Sequence, residues 1–324
     1  MAHACTVAVL SDIHYASPAE VLRKGHESRV IHNPAVRLLA RCYRRFFWLN
    51  DPFAHNHQLD RFLAGSTGAD FAVANGDYSC DTAFVGVSDE PAFQSASTCL
   101  AKLRGQFSDR LRATYGDHEI GKMSLVGGCV GPRLASWHRA QTGLDLKPLW
   151  RLEIGRYVLL GVVSSLLALP VYEPEALTEE IPEWRRLRAE HIAQIGAAFE
   201  AIQPNQRIIL FCHDPTALPF LAAETPILKK LDQLERTIIG HLHTPLIFWK
   251  SKLIAGMPII PFFGNSIRRM SVALHQAREW RPFRVMLCPS LAGCQLLKDG
   301  GFYTLALDLD ATTPPRYDFH PLPW

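Results

Sequence analysis

Short apolar runs alternate with polar stretches along most of the chain. Six runs of this kind lie at 6–14, 69–79, 111–119, 156–165, 206–215 and 236–245. Continuous apolar runs of this length are typical of strands buried on both faces, as in sheets that helices cover. Helices are predicted between them over roughly 57–65, 91–106 and 183–202. In the last of these, four residues at helical spacing share one face, namely Leu187, His191, Ile195 and Ala198.

The pattern changes from residue 258 onward. Apolar stretches alternate there with Gly, Pro, Asn and Ser turns and show no clear helix, which predicts strands completing a second sheet. No internal repeat and no Gly/Ser/Pro-rich linker divides the chain. We therefore predict one domain over 1–324, built from two sheets flanked by helices, with an insertion at about 16–58 and a strand-rich part at about 258–324.

Composition narrows the class of protein. Hydrophobic residues make up 48% and charged residues 20% of the 324 residues, which is typical of soluble globular proteins. A net charge of +3 is too small to imply a nucleic-acid partner by itself. Eight scattered cysteines without a CxxC pair argue against a structural zinc site and a disulfide framework. With no signal-peptide pattern and no bilayer-length apolar run, we expect a soluble, cytoplasmic protein.

Polar residues follow five of the predicted strands, at the point where each strand ends. Asp12 and His14 follow the first strand, Asp77 follows the second, and Asp117 and His118 follow the third. His213 follows a later strand, and His241 and His243 follow the next one. The carboxyl ends of strands in open α/β sheets are where ligand sites form. Each group alone is weak evidence, since a charged turn or a structural histidine explains it equally well. All five together predict one site, whose oxygen and nitrogen ligands suit manganese, iron or zinc.

The order of these motifs resembles that of the calcineurin-like metallophosphoesterase superfamily. Its motifs DxH, GD, GNH(E/D), H and GHxH correspond here to Asp12-x-His14, Gly76-Asp77, Gly116-Asp117-His118-Glu119, His213 and Gly240-His241-x-His243. The resemblance covers residues 6 to about 245. It implies a four-layer αββα sandwich of two mixed β-sheets, with a di-metal centre at the strand ends.

The resemblance also implies a role for each motif residue. Asp12, His14 and His243 would hold the first metal, Asp77 would bridge both metals, and Asp117, His213 and His241 would hold the second. His118 would protonate the leaving-group oxygen. We expect two divalent ions, with Mn²⁺ first and Fe or Zn as alternatives, because a pair roughly 3.5–4 Å apart activates water and clamps a phosphate for in-line attack.

One motif residue departs from the family pattern. Asp117 stands where the superfamily usually has Asn, so three carboxylates instead of two would face the ions. On Coulomb grounds this should hold metal more tightly and attract an anionic phosphate less. We predict that Asp117→Asn keeps the fold and alters metal affinity or turnover. Glu119, which also matches a motif position, is predicted to be exposed or to act behind the ligands rather than in the chemistry.

Within the insertion, residues 37–48 have the pattern of an amphipathic helix. One half of the helix carries Leu38, Leu39, Cys42, Tyr43, Phe46 and Phe47, and the other carries Arg37, Arg41, Arg44 and Arg45. One interpretation is that the apolar half packs on the domain. The other is that the helix, with Arg41, Arg44 and Arg45, either meets an anionic membrane or caps the site for an acyl-bearing substrate. His26, His32, His55 and His57 either line the entrance to the site or are ordinary surface histidines.

These observations lead to one predicted activity with open alternatives. Residues 44–64 are similar to a stretch of the chlamydial-type UDP-2,3-diacylglucosamine pyrophosphatases, which implies a lipid A precursor as substrate and peripheral contact with the inner membrane. The main prediction is a di-metal phosphoesterase that cleaves a phosphoester or pyrophosphate bond of a nucleotide-linked small molecule or lipid. Another phosphodiesterase, a protein phosphatase and a catalytically weak metal-binding scaffold are the alternatives. A nucleic-acid substrate is disfavoured, because the one dense basic cluster alternates with bulky apolar residues.

Overall fold

A computed structural model describes residues 4–23, 33–122, 131–262 and 265–324 of the chain. His26 and His32 lie outside the described residues. The strands, numbered in chain order, are β1 Ala4–Leu10, β2 Phe71–Ala74, β3 Leu111–Ala113, β4 Leu149–Ile154, β5 Tyr157–Val162, β6 Arg207–Cys212, β7 Leu234–Ile239, β8 Val285–Leu287, β9 Gly301–Asp308 and β10 Arg316–Pro321.

The α-helices of the described residues lie between and beside these strands. They are α1 Pro18–Val21, α2 Pro34–Phe46, α3 His57–Gly65, α4 Glu90–Phe107, α5 Asp117–Ile120, α6 Leu134–Thr142, α7 Ser164–Leu167, α8 Leu169–Tyr172, α9 Ile181–Glu200, α10 Leu218–Leu221, α11 Thr225–Leu228, α12 Pro245–Leu253 and α13 Asn265–Gln276. Short 3₁₀ helices occupy Pro52–His55, Gly86–Ser88, Ser108–Arg110, Glu173–Glu175, Thr178–Glu180, Pro215–Ala217, Leu231–Gln233 and Ala277–Phe283. None of the helices described is long and apolar enough to cross a membrane.

The strands form two mixed sheets of five strands each. The first sheet has the order β10-β9-β1-β2-β3, with β1, β2 and β3 parallel and β9 antiparallel to β1. The second has the order β4-β5-β6-β7-β8, with β5 to β8 parallel and β4 antiparallel to β5. The parallel strands of both sheets point their carboxyl ends toward the same region, where the predicted site lies.

Side chains that alternate along the central strands build three apolar layers. Val7 and Val9 of β1 meet Leu159, Ile209 and Phe211 of the other sheet, so this layer lies between the two sheets. On the outer side of the first sheet, Ala8 and Leu10 pack with residues of α3 and α4. On the outer side of the second sheet, β5 and β6 pack with residues of α9. Helices therefore cover both sheets, and the predicted four-layer αββα sandwich is confirmed.

The elements with a clear local pattern lie where the sequence predicts them. The six apolar runs overlap β1, β2, β3, β5, β6 and β7, and the three predicted helices correspond to α3, α4 and α9. Helix α4 begins where expected because the Asp89 side chain accepts a hydrogen bond from the N–H of Ala92 and a proline occupies its first turn. Strand β4 at Leu149–Ile154 was not predicted.

The prediction for the chain from residue 258 is wrong in two respects. The structure has a helix, α13, followed by a 3₁₀ helix at Ala277–Phe283, and residues 258–262 are not a strand. Only β8 joins the second sheet, whereas β9 and β10 extend the first, with Val7 of β1 opposite Leu305 of β9. Local alternation of apolar and turn residues does not specify which distant strand will supply the hydrogen bonds, so the pairing could not be deduced from it.

Helix α2 forms within the insertion, but most of its apolar half does not pack on the domain. Leu38, Leu39 and Phe46 are each more than 60% exposed. The helix is anchored at its carboxyl end instead, where the N–H of Leu296 donates to the carbonyl of Phe47 at 3.1 Å. The packing alternative is therefore wrong for Leu38, Leu39 and Phe46. Tyr43 and Phe47 stack with the ring of Trp48 instead.

Candidate metal centre

Five strand ends from both sheets meet at one place. Asp12 and His14 follow β1, Asp77 follows β2, and Asp117 opens α5 directly after β3. His213 follows β6, and His241 and His243 follow β7 in the second sheet. All seven predicted ligands are thus brought together, although they come from positions up to 231 residues apart. The two sheets must pack correctly against each other for the site to exist.

The backbone turns sharply at most of these residues. Five of the seven predicted ligands have a left-handed backbone conformation, with φ of 51° at Asp12, 48° at His14, 60° at Asp77, 57° at His241 and 59° at His243. This conformation is uncommon for residues with a side chain and is stabilised only where the surrounding structure requires it. The left-handed turn lets two residues of one motif, such as Asp12 and His14, direct their side chains toward the same point.

The first donor set contains Asp12, His14, Asp77 and His243, whose ligand atoms lie within 4.8 Å of one another. The Nε2 atom of His243 lies 3.2 Å from Asp12 Oδ1 and 3.3 Å from His14 Nε2. His14 Nε2 is 4.0 Å from Asp77 Oδ2. Ligands that surround one ion at about 2.1 Å are separated by distances of this order.

The second donor set contains Asp117, His213 and His241. Asp117 Oδ1 lies 3.1 Å from His241 Nδ1 and 3.5 Å from His213 Nε2. Asp77 joins the two sets, because its Oδ2 atom is also only 3.2 Å from His213 Nε2. A carboxylate shared in this way has the position that the resemblance predicts for the bridging ligand.

Backbone carbonyls select the tautomer of three imidazoles. His213 Nδ1 donates to the carbonyl of Asn75 at 2.5 Å, and the Nδ1 atoms of His14 and His118 donate to the carbonyl of Ser79 at 3.2 and 2.9 Å. When each ring is neutral, its Nε2 atom therefore carries the lone pair. His213 Nε2 is buried without a hydrogen-bond partner. An orphaned buried nitrogen beside three carboxylates fits a divalent metal ion.

Glycines are required where the motifs touch. A Cβ atom on Gly116 would lie 2.0 Å from Asp77 Oδ1, and one on Gly240 would lie 2.0 Å from Ser11 Oγ and 2.4 Å from Asp12 Oδ2. Real Cβ contacts do not become this short. The glycines that precede Asp117 and His241 therefore let the backbone approach the carboxylates of the neighbouring motif.

Glu119 holds two of the motifs together from behind the ligands. Its Oε2 atom accepts hydrogen bonds from the N–H groups of Asp77 at 3.0 Å and Gly116 at 2.8 Å, and Oε1 accepts from the N–H of Tyr78 at 2.8 Å. The side chain is fully buried. Glu119 therefore has a positioning role, which is one of the two that the sequence left open.

Carboxylates and imidazoles within the centre shift each other's pKa values. Burial raises the pKa of Asp117, but His241 and His213 lower it more, so that it lies well below its usual range. Burial lowers the pKa of His241, but the charges of Asp214 and Asp117 have a larger, opposite effect and raise this pKa to about 10. Asp117 and its histidine neighbours thus stabilise each other's charges. A divalent cation entering the site would displace the protons from these imidazoles.

His118 lies at the edge of the two donor sets. Its Nε2 atom is 3.7 Å from Asp77 Oδ2, and its backbone N–H donates to Asp77 Oδ1 at 3.0 Å. Burial lowers the pKa of His118 to about 3, although the charge of Asp77 raises it. The imidazole is therefore neutral near pH 7 in the free protein, and the proton-donor role predicted for it requires an additional negative charge nearby.

Trp48 is a neighbour of the centre that sequence reasoning missed. Its ring lies 4.7 Å from the ring of His243, and Tyr43 and Phe47 stack behind it. The aromatic pattern of residues 43–48 was visible in the sequence, but nothing in it indicated contact with a ligand 195 positions away. The end of α2 therefore forms one wall of the site.

The three arginines predicted to meet substrate or membrane differ in position. Arg41 and Arg45 are exposed, whereas Arg44 is half-buried. Burial lowers the pKa of Arg44, and nearby Cys80, whose Sγ atom donates to the carbonyl of His14, opposes this shift.

His55 and His57 face each other at 6.2 Å, and the ring of His55 also contacts the ring of Trp324.

Comparison with known proteins relates the fold to that of a dimetal phosphatase. No protein-family model and no curated protein sequence matches the chain. A crystal structure of a dimetal phosphatase from Danio rerio is similar over 94% of this chain and 92% of its own, with a TM-score of 0.51 and 13% identity. At this identity the similarity shows the fold, which is thus the two-sheet sandwich of that dimetal phosphatase.

Two other solved structures are more distantly similar. A phosphopantetheinyl hydrolase from Mycobacterium tuberculosis aligns with 76% of this chain and 85% of its own, at a TM-score of 0.37 and 12% identity. A conserved uncharacterized protein from Streptococcus pneumoniae, described as a predicted phosphoesterase, aligns with 98% of this chain and 99% of its own, at a TM-score of 0.27 and 10% identity.

Proposed function

We propose that the protein is a phosphoester hydrolase that uses two divalent metal ions. The observation that carries this proposal is the pair of donor sets around Asp12 and Asp117, which share the carboxylate of Asp77. The similarity of the fold to that of a dimetal phosphatase supports it. Because the donors are carboxylates and imidazoles without a thiolate, we expect Mn²⁺, with Fe or Zn as alternatives.

The residues of the centre have separable tasks in this reaction. Two divalent ions bound there would supply an activated water and neutralise the charge of the phosphate. Asp77 sets the spacing of the two donor sets, and Glu119 holds the Asp77 backbone in place. His118 donates a proton from Nε2 to the leaving-group oxygen, while the Ser79 carbonyl orients its ring. An anionic phosphate beside His118 raises the imidazole pKa from its low value and so supplies the condition for protonation.

The substrate that we propose is a lipid-linked phosphoester or pyrophosphate, of which UDP-2,3-diacylglucosamine is one example. The observation favouring it is the row of exposed apolar side chains on α2, whose carboxyl end reaches His243 through Trp48. Such a row gives acyl chains an apolar surface next to the reacting phosphate. A soluble phosphodiester and a phosphorylated protein are the alternatives within the same chemistry.

Hydrolysis by the Mn²⁺-loaded protein tests the proposal. The substrates are an aryl phosphodiester, cyclic nucleotides and a UDP-linked diacyl sugar, and the product is measured with and without a chelator. We expect turnover of at least one substrate that the chelator abolishes and added Mn²⁺ restores. The matched control is His241→Ala, which removes one ligand of the second donor set. Full activity in this variant would contradict the two-metal mechanism.

Because of Asp117, the second candidate function is a metal-binding scaffold without catalysis. Its carboxylate adds a negative charge that reduces the attraction of the centre for phosphate. Two bound Mn²⁺ ions per chain, measured by elemental analysis, together with no turnover of any substrate would favour the scaffold.

A further inference from the structure

Large apolar side chains are exposed on three segments beside the metal centre. Among the described residues, eight large hydrophobic side chains are more than half exposed. Six of them lie on α2, on α12 and in the segment that follows Cys294, and we call these the apolar rim: Leu38, Leu39, Phe46, Trp249, Leu253 and Leu296. Exposed apolar residues that are scattered singly need no explanation, but a concentration of them marks an interaction surface.

The segments that carry the apolar rim meet at His243. Helix α2 ends against this residue through Trp48. Leu296 is tied to α2 by the hydrogen bond from its N–H to the carbonyl of Phe47. Helix α12 begins directly after His243, with Thr244 as its N-cap, and the Thr244 hydroxyl donates to Asp299 at 2.5 Å. Each segment of the apolar rim therefore has one end close to the centre.

The charge of two of these segments is one-sided. Residues 33–50 and 245–253 contain six of the 34 Lys and Arg residues of the chain and none of its 31 Asp and Glu residues. The rest of the chain consequently has 28 basic against 31 acidic side chains, so the positive net charge originates in these two segments. Basic residues interspersed with exposed large apolar ones fit an anionic lipid surface, where the apolar groups enter the interface and the cations meet the headgroups.

We infer that the apolar rim docks on an anionic lipid bilayer, with the metal centre turned toward the headgroup layer. This inference deepens the proposed function, since it names the surface on which a lipid-linked phosphoester would be presented. Helix α2 lies on the surface, because most of its apolar residues face outward while Arg44 is half-buried against the domain. A second copy of the chain on the rim is the competing occupant, and the experiment below distinguishes it.

Flotation with lipid vesicles tests the inference without any substrate. The protein is mixed with phosphatidylcholine vesicles that contain or lack phosphatidylglycerol, at low and at high salt. We expect binding to the anionic vesicles that weakens as salt screens the charges. Leu39→Ser combined with Phe46→Ser should lower the partition coefficient by at least about tenfold, because two large apolar side chains no longer enter the interface. Arg41→Glu combined with Arg45→Glu should abolish binding at low salt.

Matched controls come from exposed residues away from the rim. Leu228→Ser removes a 48% exposed leucine on α11, and Arg316→Glu reverses an exposed charge on β10, so both should bind vesicles like the wild type. Circular dichroism and thermal unfolding verify that each variant is folded. No binding of the wild-type protein, or equal binding of the rim variants, would overturn the inference. A wild-type dimer that becomes a monomer in the rim variant, without vesicle binding, would assign the surface to self-association.

The outcomes also separate this inference from the proposed hydrolysis. The rim variants should still bind two Mn²⁺ ions per chain in calorimetric titration, because none of the substituted side chains belongs to the two donor sets. His241→Ala should lose hydrolysis and still bind vesicles. Vesicle binding without hydrolysis in the wild type would therefore refute the proposed function alone, and hydrolysis without vesicle binding would refute the docking surface alone.

Discussion

Gly116→Ala tests whether the packing between motifs sets the geometry of the metal centre. The new methyl group would lie 2.0 Å from Asp77 Oδ1 and 2.5 Å from the Asp77 backbone nitrogen. A real Cβ contact needs about 3.0 Å, so Asp77 or the backbone must move by about 1 Å. Gly116 has a φ of −97°, which alanine also adopts. The contact alone therefore causes the effect.

The expected loss is larger for the function than for the fold. Overpacking of this kind costs about 1–3 kcal/mol of unfolding free energy. A shift of about 1 Å in a catalytic geometry costs about a hundredfold in rate. Calorimetric titration with Mn²⁺, thermal unfolding and hydrolysis of an aryl phosphodiester measure the three quantities. We expect weaker Mn²⁺ binding and a lower kcat, because Asp77 is shared by both donor sets.

Gly105→Ala is the matched control for this substitution. Gly105 lies inside α4, and a Cβ atom there would meet no atom within 4 Å. Replacing a helical glycine by alanine should stabilise the protein by about 0.5–1 kcal/mol and leave Mn²⁺ affinity unchanged. If Gly116→Ala bound Mn²⁺ as tightly as the wild type and unfolded at the same temperature, the close contact with Asp77 would not exist and the reasoning would be wrong.

Three further substitutions probe the centre and the core. Asp117→Asn should keep the fold and bind Mn²⁺ more weakly in calorimetry, since one of three carboxylates is lost; unchanged affinity would show that Asp117 is not a ligand. His118→Gln should keep two Mn²⁺ per chain and lower kcat by about 10²–10⁴, as expected for a lost general acid; an unaltered kcat would refute its role. Burial lowers the pKa of His191 to about 3, so unfolding free energy should fall by about 1.4 kcal/mol per pH unit as pH drops from about 6.5 toward 3. His191→Gln should lose this part of the acid dependence in denaturant titrations, and an identical pH profile would contradict it.

The predicted ligands were accessible from the sequence because their signals are local. Each follows an apolar run, and a strand with a polar end can be recognised without knowing its neighbours. The motifs of the family that the sequence resembles predict Asp12 and His243 in one donor set and Asp117 in the other, and in the structure these side chains lie in two such groups. The elements around the ligands were less predictable. The role of Glu119 depends on three N–H groups that only the folded backbone brings together.

The amino-acid order by itself determined the central strands, helices α3, α4 and α9, and the seven side chains that converge at the strand ends. These features rest on periodicity and on residue chemistry, both of which act over a few neighbouring positions. Tertiary structure decided that β9 pairs with β1, that Trp48 contacts His243, and that most of the apolar half of α2 faces outward. A helical pattern separates two faces but does not say which of them will find a partner. That choice depends on the surfaces that residues distant in sequence present, and those exist only once the sheets have packed.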